Sequence, residues 1–201
     1  MAKRRVEVVP PDPAWSVQYQ AEAGRIRPAF GKDLLALHHI GSTAIHGIYA
    51  KPIIDILVEV RDIERIQPEE PALIDLGYEG RGEYGISGRR YFRRGDYLTP
   101  TFHVHVFQRG HPAIESHINF RDYLNARPQR AQDYSRLKQD LARLYPEDID
   151  GYMAGKDGLI KEILAEAALF SAADPRQLMR QSRKAALQPS AARRHRSSQP
   201  R

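Results

Sequence analysis

The sequence predicts an α+β fold: a mixed or antiparallel sheet flanked by helices, with a helical C-terminal half. Three observations carry this. Residues 53–60, IIDILVEV, are dense in β-branched side chains that suit a pleated, buried strand. Further strand-like segments separated by glycines follow before residue 108. From Pro112 onward the pattern is helical, with Pro128 and the Pro146-Glu147-Asp148 stretch marking helix starts. Strands first and helices last is the α+β order.

Taken in order, Val6–Val9 reads as a short strand, and Asp12-Pro13 supplies an N-cap and an N1 proline for a helix ending near Gly31. Leu34–Ile40 is an apolar run closed by Gly41-Ser42, and Ile53–Val60 is the strongest strand. Residues 62–76 suggest a helix interrupted by Pro68 and Pro71. Gly77–Glu83, Arg89–Arg94 and Thr101–Phe107 read as strands, and helices are expected over 112–126, 128–145, 147–153 and 156–170. Tyr134, Leu137, Leu141 and Leu144 recur at helical spacing and read as core.

Composition removes several functional classes. A chain of 201 residues without cysteine has no disulfide scaffold, thiol nucleophile or cysteine-ligated metal. No apolar run approaches the roughly 20 residues of a membrane-spanning helix, and MAKRRVEVVPPDP lacks the apolar stretch of a secretory signal. A cytoplasmic protein without membrane contact is expected. The net charge of +6 is concentrated in residues 172–201, which carry +7 and leave residues 1–171 at −1. Residues 1–171 therefore read as the domain, and 172–201 as a basic, mostly disordered tail with too few large apolar residues to order itself. That tail either solubilises or makes weak nucleic-acid contact.

The chemistry-bearing segment begins at His39-Ile40-Gly41-Ser42-Thr43 and continues to Asp55 inside the strong strand. A glycine at a strand end allows close backbone approach to a phosphate, and Ser42 or Thr43 can donate to its oxygens. An acid on the next strand can hold a divalent ion against the same phosphate.

This spacing resembles the nucleotidyltransferase superfamily of the DNA polymerase beta type, whose pattern is Gly-Ser followed by Asp-x-Asp on a strand. More closely, the chain resembles the GrpB (UPF0157) family, a branch with that fold. The resemblance rests on VEVVPPDPAW (6–15), HIGSTAIHGIYAKPIIDILVEV (39–60), LGYEGRGEYGISGRRYFRRG (76–95), FHVHVF (102–107), FRDYLNARP (120–128) and YPEDIDGYMAGKDGLIKEIL (145–164). It covers about residues 5–170. It implies a nucleotidyltransferase-like sheet and, since GrpB-like domains occur fused to dephospho-coenzyme A kinases, a connection to coenzyme A.

The chain departs from the superfamily pattern at the second acid. Ile53 and Leu57 flank Asp55 on its face of the strand, and Glu59 lies about 13 Å away. His103 and His105, alternate residues of a strand, project from one face and are the candidate replacement ligands. Asp55 with His103 and His105 makes a mixed nitrogen–oxygen set, the candidate catalytic and metal group. Such a set suits Mn²⁺, Zn²⁺ or Fe²⁺ better than Mg²⁺. The expected cofactor is a divalent ion, magnesium or manganese, with zinc as the alternative. One histidine facing phosphate or acting as general base is a second reading, and hydrogen bonding across a half-buried sheet is a third.

Gly88–Gly95 adds phosphate candidates: Arg89, Tyr91 and Arg93 share one face of a strand, and Arg90, Phe92 and Arg94 the other. The competing reading is a charged edge strand. Lys51, just before the Asp55 strand, either reaches a phosphate or is solvated. Gly155-Lys156 reads as a helix start with Lys156 toward the site, while His38, His39, His46, His111 and His117 follow no ligand pattern. The expected activity is metal-dependent transfer of a nucleotidyl group from an NTP to a small-molecule or macromolecular acceptor. The alternatives are a non-catalytic nucleotide- or coenzyme-A-related binding module and a His-x-His phosphohydrolase.

Overall fold

The computed structural model describes residues 5–67 and 70–173. The expectations placed on most of the basic tail, residues 174–201, lie outside the described residues. Five strands form one mixed sheet: β1 (Leu34–Ile40), β2 (Ile54–Val60), β3 (Tyr78–Gly80), β4 (Arg89–Gly95) and β5 (Pro100–Gln108). Their order is β1-β2-β5-β4-β3. β2 and β5 pair in parallel, and the other neighbours pair antiparallel. The helices are α1 (Ala14–Phe30), the single turn α2 (Pro71–Ile74), α3 (Pro112–Ala126), α4 (Pro128–Leu144) and α5 (Ile149–Ala172).

Period-two alternation divides β2 between two faces. Ile54, Ile56, Val58 and Val60 pack with Phe92, Phe102, Val104 and Val106 against Trp15, Ile26 and Phe30 of α1. On the opposite face Ile40, Leu57 and Phe107 meet Ile114 of α3. Asp55, His103 and His105 lie on that second face. A further core joins Ile45 and Ile48 to Leu124, Ala131, Tyr134 and Ile163. It seats the helical half against the segment between β1 and β2.

Local chemistry sets the boundaries. Asp12 Oδ1 accepts from the Ala14 amide at 2.8 Å to start α1, with Pro13 at the cap position and Gly31 closing the helix at φ +45°. Asp148 caps α5 by accepting from the Gly151 amide at 3.0 Å.

Several expectations need correction. Val6–Val9 contributes only a bridge between Val9 and Ala50, because Val6 instead ties to the Pro146 carbonyl at 2.9 Å and packs on Leu141 and Tyr152. Within 62–76, a 3₁₀ turn (Ile63–Arg65) and α2 replace the interrupted helix. The two C-terminal helices are one, α5. Gly155 starts nothing: a side chain there would run into Leu141, so glycine lets α4 and α5 approach closely. Leu144 is exposed, although Tyr134 and Leu141 are buried. Among the described residues no helix is long and apolar enough to cross a membrane.

Candidate metal and anion site

The parallel register of β2 and β5 places Asp55 beside His103 and Leu57 beside His105. Alternation then puts both imidazoles on the Asp55 face. His103 Nδ1 lies 3.2 Å and His105 Nε2 3.3 Å from the same oxygen, Asp55 Oδ1. Gly41, at φ +71°, closes β1 directly against this carboxylate, and a Cβ there would overlap Asp55 Oδ2. The glycine of the Gly-Ser pair is thus required by the approach of Asp55 as well as by its left-handed backbone.

Burial disfavours the charged form of Asp55. Hydrogen bonds from His103 and His105, with their charge, outweigh it and hold the carboxyl below the ordinary carboxylate range. Burial pushes His105 down, against the attraction of Asp55. His117 of α3 stands with its ring 5.7 Å from that of His105 and is pushed down to about 4, mainly by burial. The site therefore presents a carboxylate beside two imidazoles, those of His105 and His117, that burial pushes toward the neutral form.

The three ligand atoms of Asp55, His103 and His105 lie within 4.8 Å of one another. Atoms about 2.1 Å from one ion stand about 3.0 Å apart at a right angle and about 3.4 Å apart at the tetrahedral angle. The two oxygen–nitrogen spacings fall in that interval, as ligands of one divalent ion would, and the three residues form a candidate metal group.

Tyr91 of β4 meets both imidazoles edge-on, at 5.5 and 5.2 Å between ring centres, and Tyr84 stacks on Tyr91 at 5.0 Å. Tyr84 holds a positive φ of 44°, and its carbonyl accepts from Arg89 Nη2 at 2.5 Å. Arg89 is buried; its Nε donates to the Glu83 carbonyl at 3.1 Å and its Nη1 lies 3.3 Å from His105 Nδ1. Arg93 bonds Glu79 at 2.7 Å, and its Nε is, among the described residues, the buried side-chain donor without a partner. Arg90 turns to the other face, bonding the Ile66 carbonyl at 3.1 Å and Glu64.

The helical half adds a group that sequence reasoning reached only in part. Lys138 of α4 and Lys156 of α5 are both buried. Lys156 Nζ contacts Met153 Sδ at 3.3 Å and lies over the Tyr152 ring at 4.4 Å. Lys51 Nζ lies 5.0 Å from the centre of that same ring. Lys138 Nζ donates to the Tyr49 carbonyl and lies over Tyr134 at 4.5 Å. Burial pushes Lys156 down to about 8, with Asp55 near enough to oppose it. Burial, then the charges of Lys156 and Lys51, pushes Lys138 down to about 7. Ser42 Oγ reaches Tyr134 Oη at 3.5 Å, which links the Gly-Ser turn to this lysine group.

The fold thus brings together Asp55, His103, His105, Gly41, Ser42, Arg89 and Arg93, with Lys51 on the lysine side. Thr43 is buried, its Oγ1 donating to the Ile53 carbonyl at 3.1 Å and meeting His39 Nε2 at 3.0 Å. His39 stacks on Tyr19 at 4.7 Å, while Arg121 pairs with Asp122 at 2.7 Å. Lys138 and His117 carry no motif; each comes to the site only because its helix presents that face. Eighteen residues and the break between α4 and α5 separate Lys138 from Lys156, too far apart to read as a pair.

A mixed sheet bearing a one-carboxylate, two-histidine group, with lysines gathered beside it by a helical C-terminal half, defines an α+β protein with a candidate metal and anion site. The chain belongs to the GrpB family: the family model described as GrpB protein matches residues 5–166. It is similar to the UPF0157 protein YqkA of Bacillus subtilis, 45% identical over 159 residues, or 79% of this chain. It spans only 46% of YqkA's length. The glutamate-rich protein GrpB of Alkalihalophilus pseudofirmus is 37% identical over 76% of this chain and 90% of that one. The crystal structure of the conserved protein GrpB from Enterococcus faecalis superposes with a TM-score of 0.76 and 41% identity, covering 80% of this chain and 96% of that one.

Proposed function

We propose that the chain is a metal-dependent nucleotidyltransferase that moves a nucleotidyl group from a nucleoside triphosphate to an acceptor. One observation carries the reading: Lys156 lies within electrostatic reach of Asp55, and Ser42 of the Gly41-Ser42 turn reaches Tyr134, over whose ring Lys138 lies. An anion seated there would offset the charges of Lys156 and Lys51, which add to burial in lowering Lys138. Asp55, His103 and His105 would hold the ion, which when bound supplies Lewis acidity and counter-charge at a phosphoryl oxygen. Lys51, Lys156 and Ser42 would bind the triphosphate and stabilise the departing pyrophosphate. Arg93, with its unpartnered Nε, adds a donor on the other flank. The acceptor hydroxyl oxygen would form a bond to the α-phosphorus as the bond to the bridging oxygen breaks, pyrophosphate leaving with that oxygen and the hydroxyl proton passing to solvent.

The nitrogen-rich donor set favours a second reading, metal-dependent phosphohydrolysis with water as acceptor, since two imidazoles and one carboxylate suit zinc or manganese better than magnesium.

The test measures thermal stability with the four NTPs, coenzyme A and dephospho-coenzyme A, each with EDTA, Mg²⁺, Mn²⁺ or Zn²⁺. Released phosphate and pyrophosphate are assayed alongside. Ligand at 100 times its Kd stabilises by about 2.7 kcal/mol, a shift of a few degrees at this size. A metal-dependent NTP shift with pyrophosphate release, both lost in Asp55→Ala, supports transfer. Orthophosphate release alone supports hydrolysis. Binding indifferent to metal, without turnover, refutes both and leaves a binding module.

A further inference from the structure

A guanidinium carries five N–H donors, has no acceptor and keeps its proton in proteins. Arg89 Nη1 stands 3.3 Å from His105 Nδ1, so in that contact Nδ1 must be the acceptor. A neutral imidazole with an unprotonated Nδ1 carries its hydrogen on Nε2, the atom 3.3 Å from Asp55 Oδ1. This is the reverse of the usual outer partner of a metal-bound histidine, which accepts a hydrogen from the far nitrogen and leaves the near one free to ligate. Arg89 is also fixed where it stands. Its other nitrogens donate to the Glu83 and Tyr84 carbonyls, and its guanidinium lies over the Tyr91 ring at 4.8 Å.

We propose that Arg89 is a positioning residue that holds His105 as an Nε2–H donor to Asp55, so that a divalent ion takes His105 as a ligand only when Arg89 releases Nδ1. The second half of this proposal rests on the metal reading of the site; the tautomer does not. The exchange balances simply. The Nε2 proton leaves to solvent, the freed lone pair binds the ion, and Nδ1 takes a proton from solvent as Nη1 withdraws, with no net change in protonation. If Arg89 stayed, the ring would be an imidazolate and one proton would be lost.

The test uses the full chain, metal-stripped and labelled with ¹⁵N at histidine, read by two-bond ¹H–¹⁵N correlation. A protonated Nε2 with a bare Nδ1 at His105 is expected, and a protonated Nδ1 overturns the assignment. Zinc affinity is then measured for wild type, Arg89→Gln and Arg89→Lys. A glutamine carbonyl can accept from Nδ1–H, so Arg89→Gln should bind zinc about tenfold more tightly, the usual scale of an outer-partner effect. Arg89→Lys, still a donor, should keep the wild-type tautomer and affinity. Equal or weaker zinc binding by folded Arg89→Gln overturns the competition. If no variant binds zinc, the metal reading and the second half fall together, while the wild-type tautomer still decides the first.

Discussion

Replacing Lys138 with methionine should flatten the pH dependence of stability between pH 7 and 10. Lys138 is 1% exposed, and burial with the charges of Lys156 and Lys51 lowers its ammonium to about 7, against an ordinary value of about 10.4 in an unfolded chain. Between those values the unfolded state binds a proton that the folded state does not. Stability therefore rises with pH across the window and is flat below it, where both states are charged and the full penalty is present. The slope is about 1.4 kcal/mol per pH unit for one proton, and the whole window amounts to about 5 kcal/mol. Methionine has a similar length and no charge; it forfeits the hydrogen bond to the Tyr49 carbonyl, a loss of about 1 kcal/mol. Urea denaturation at pH 7, 8, 9 and 10 should show Lys138→Met more stable at pH 7, with the gap closing toward pH 10. The high-lying tyrosines are common to both chains and largely cancel in the difference; Lys156, coupled to Lys138 by charge, changes the shape of the curve but not its direction. A gap that stays constant across the range would refute the account of Lys138 as a buried, crowded ammonium.

Two glycines give further tests. Gly41→Ala places a Cβ against Asp55 on a backbone at φ +71°, and should cost about 1–3 kcal/mol while weakening zinc binding measured by calorimetry. Unchanged zinc affinity would mean that Asp55 does not depend on that approach. Gly155→Leu should lower the urea midpoint by an equivalent of about 1–3 kcal/mol through overpacking against Leu141. The roughly 1 kcal/mol gained in helix propensity only partly offsets this, and a stabilised variant would show that α4 and α5 have room to spare.

Strand and helix identities were readable where one pattern dominated. The β-branched run at 53–60 needed no partner to be recognised, and the prolines at 112 and 128 sit at the first positions of their helices. Asp55 and the two histidines were legible because period two alone places alternate residues on one face. Which face of β4 turns toward them was not, since Arg89/Arg93 and Arg90/Arg94 are equivalent until the neighbour of β4 is known. Gly155 misled for a related reason. A glycine beside a lysine looks like a helix boundary, and only the proximity of Leu141 reveals a packing contact. Lys138 belongs to no motif, and only the seating of α4 against the segment near Tyr49 buries it.

The pairing of β5 between β2 and β4 also sets when this site comes into being. His103 and Asp55 are 48 residues apart, and bringing the ends of such a segment together costs about 3 kcal/mol of loop entropy. The central strand is the last to be synthesised, so a chain emerging from the ribosome has all of β1 to β4 before it has any imidazole next to Asp55. An ion cannot template the early sheet; it can only reward a sheet already closed. Binding should therefore slow unfolding far more than it speeds folding.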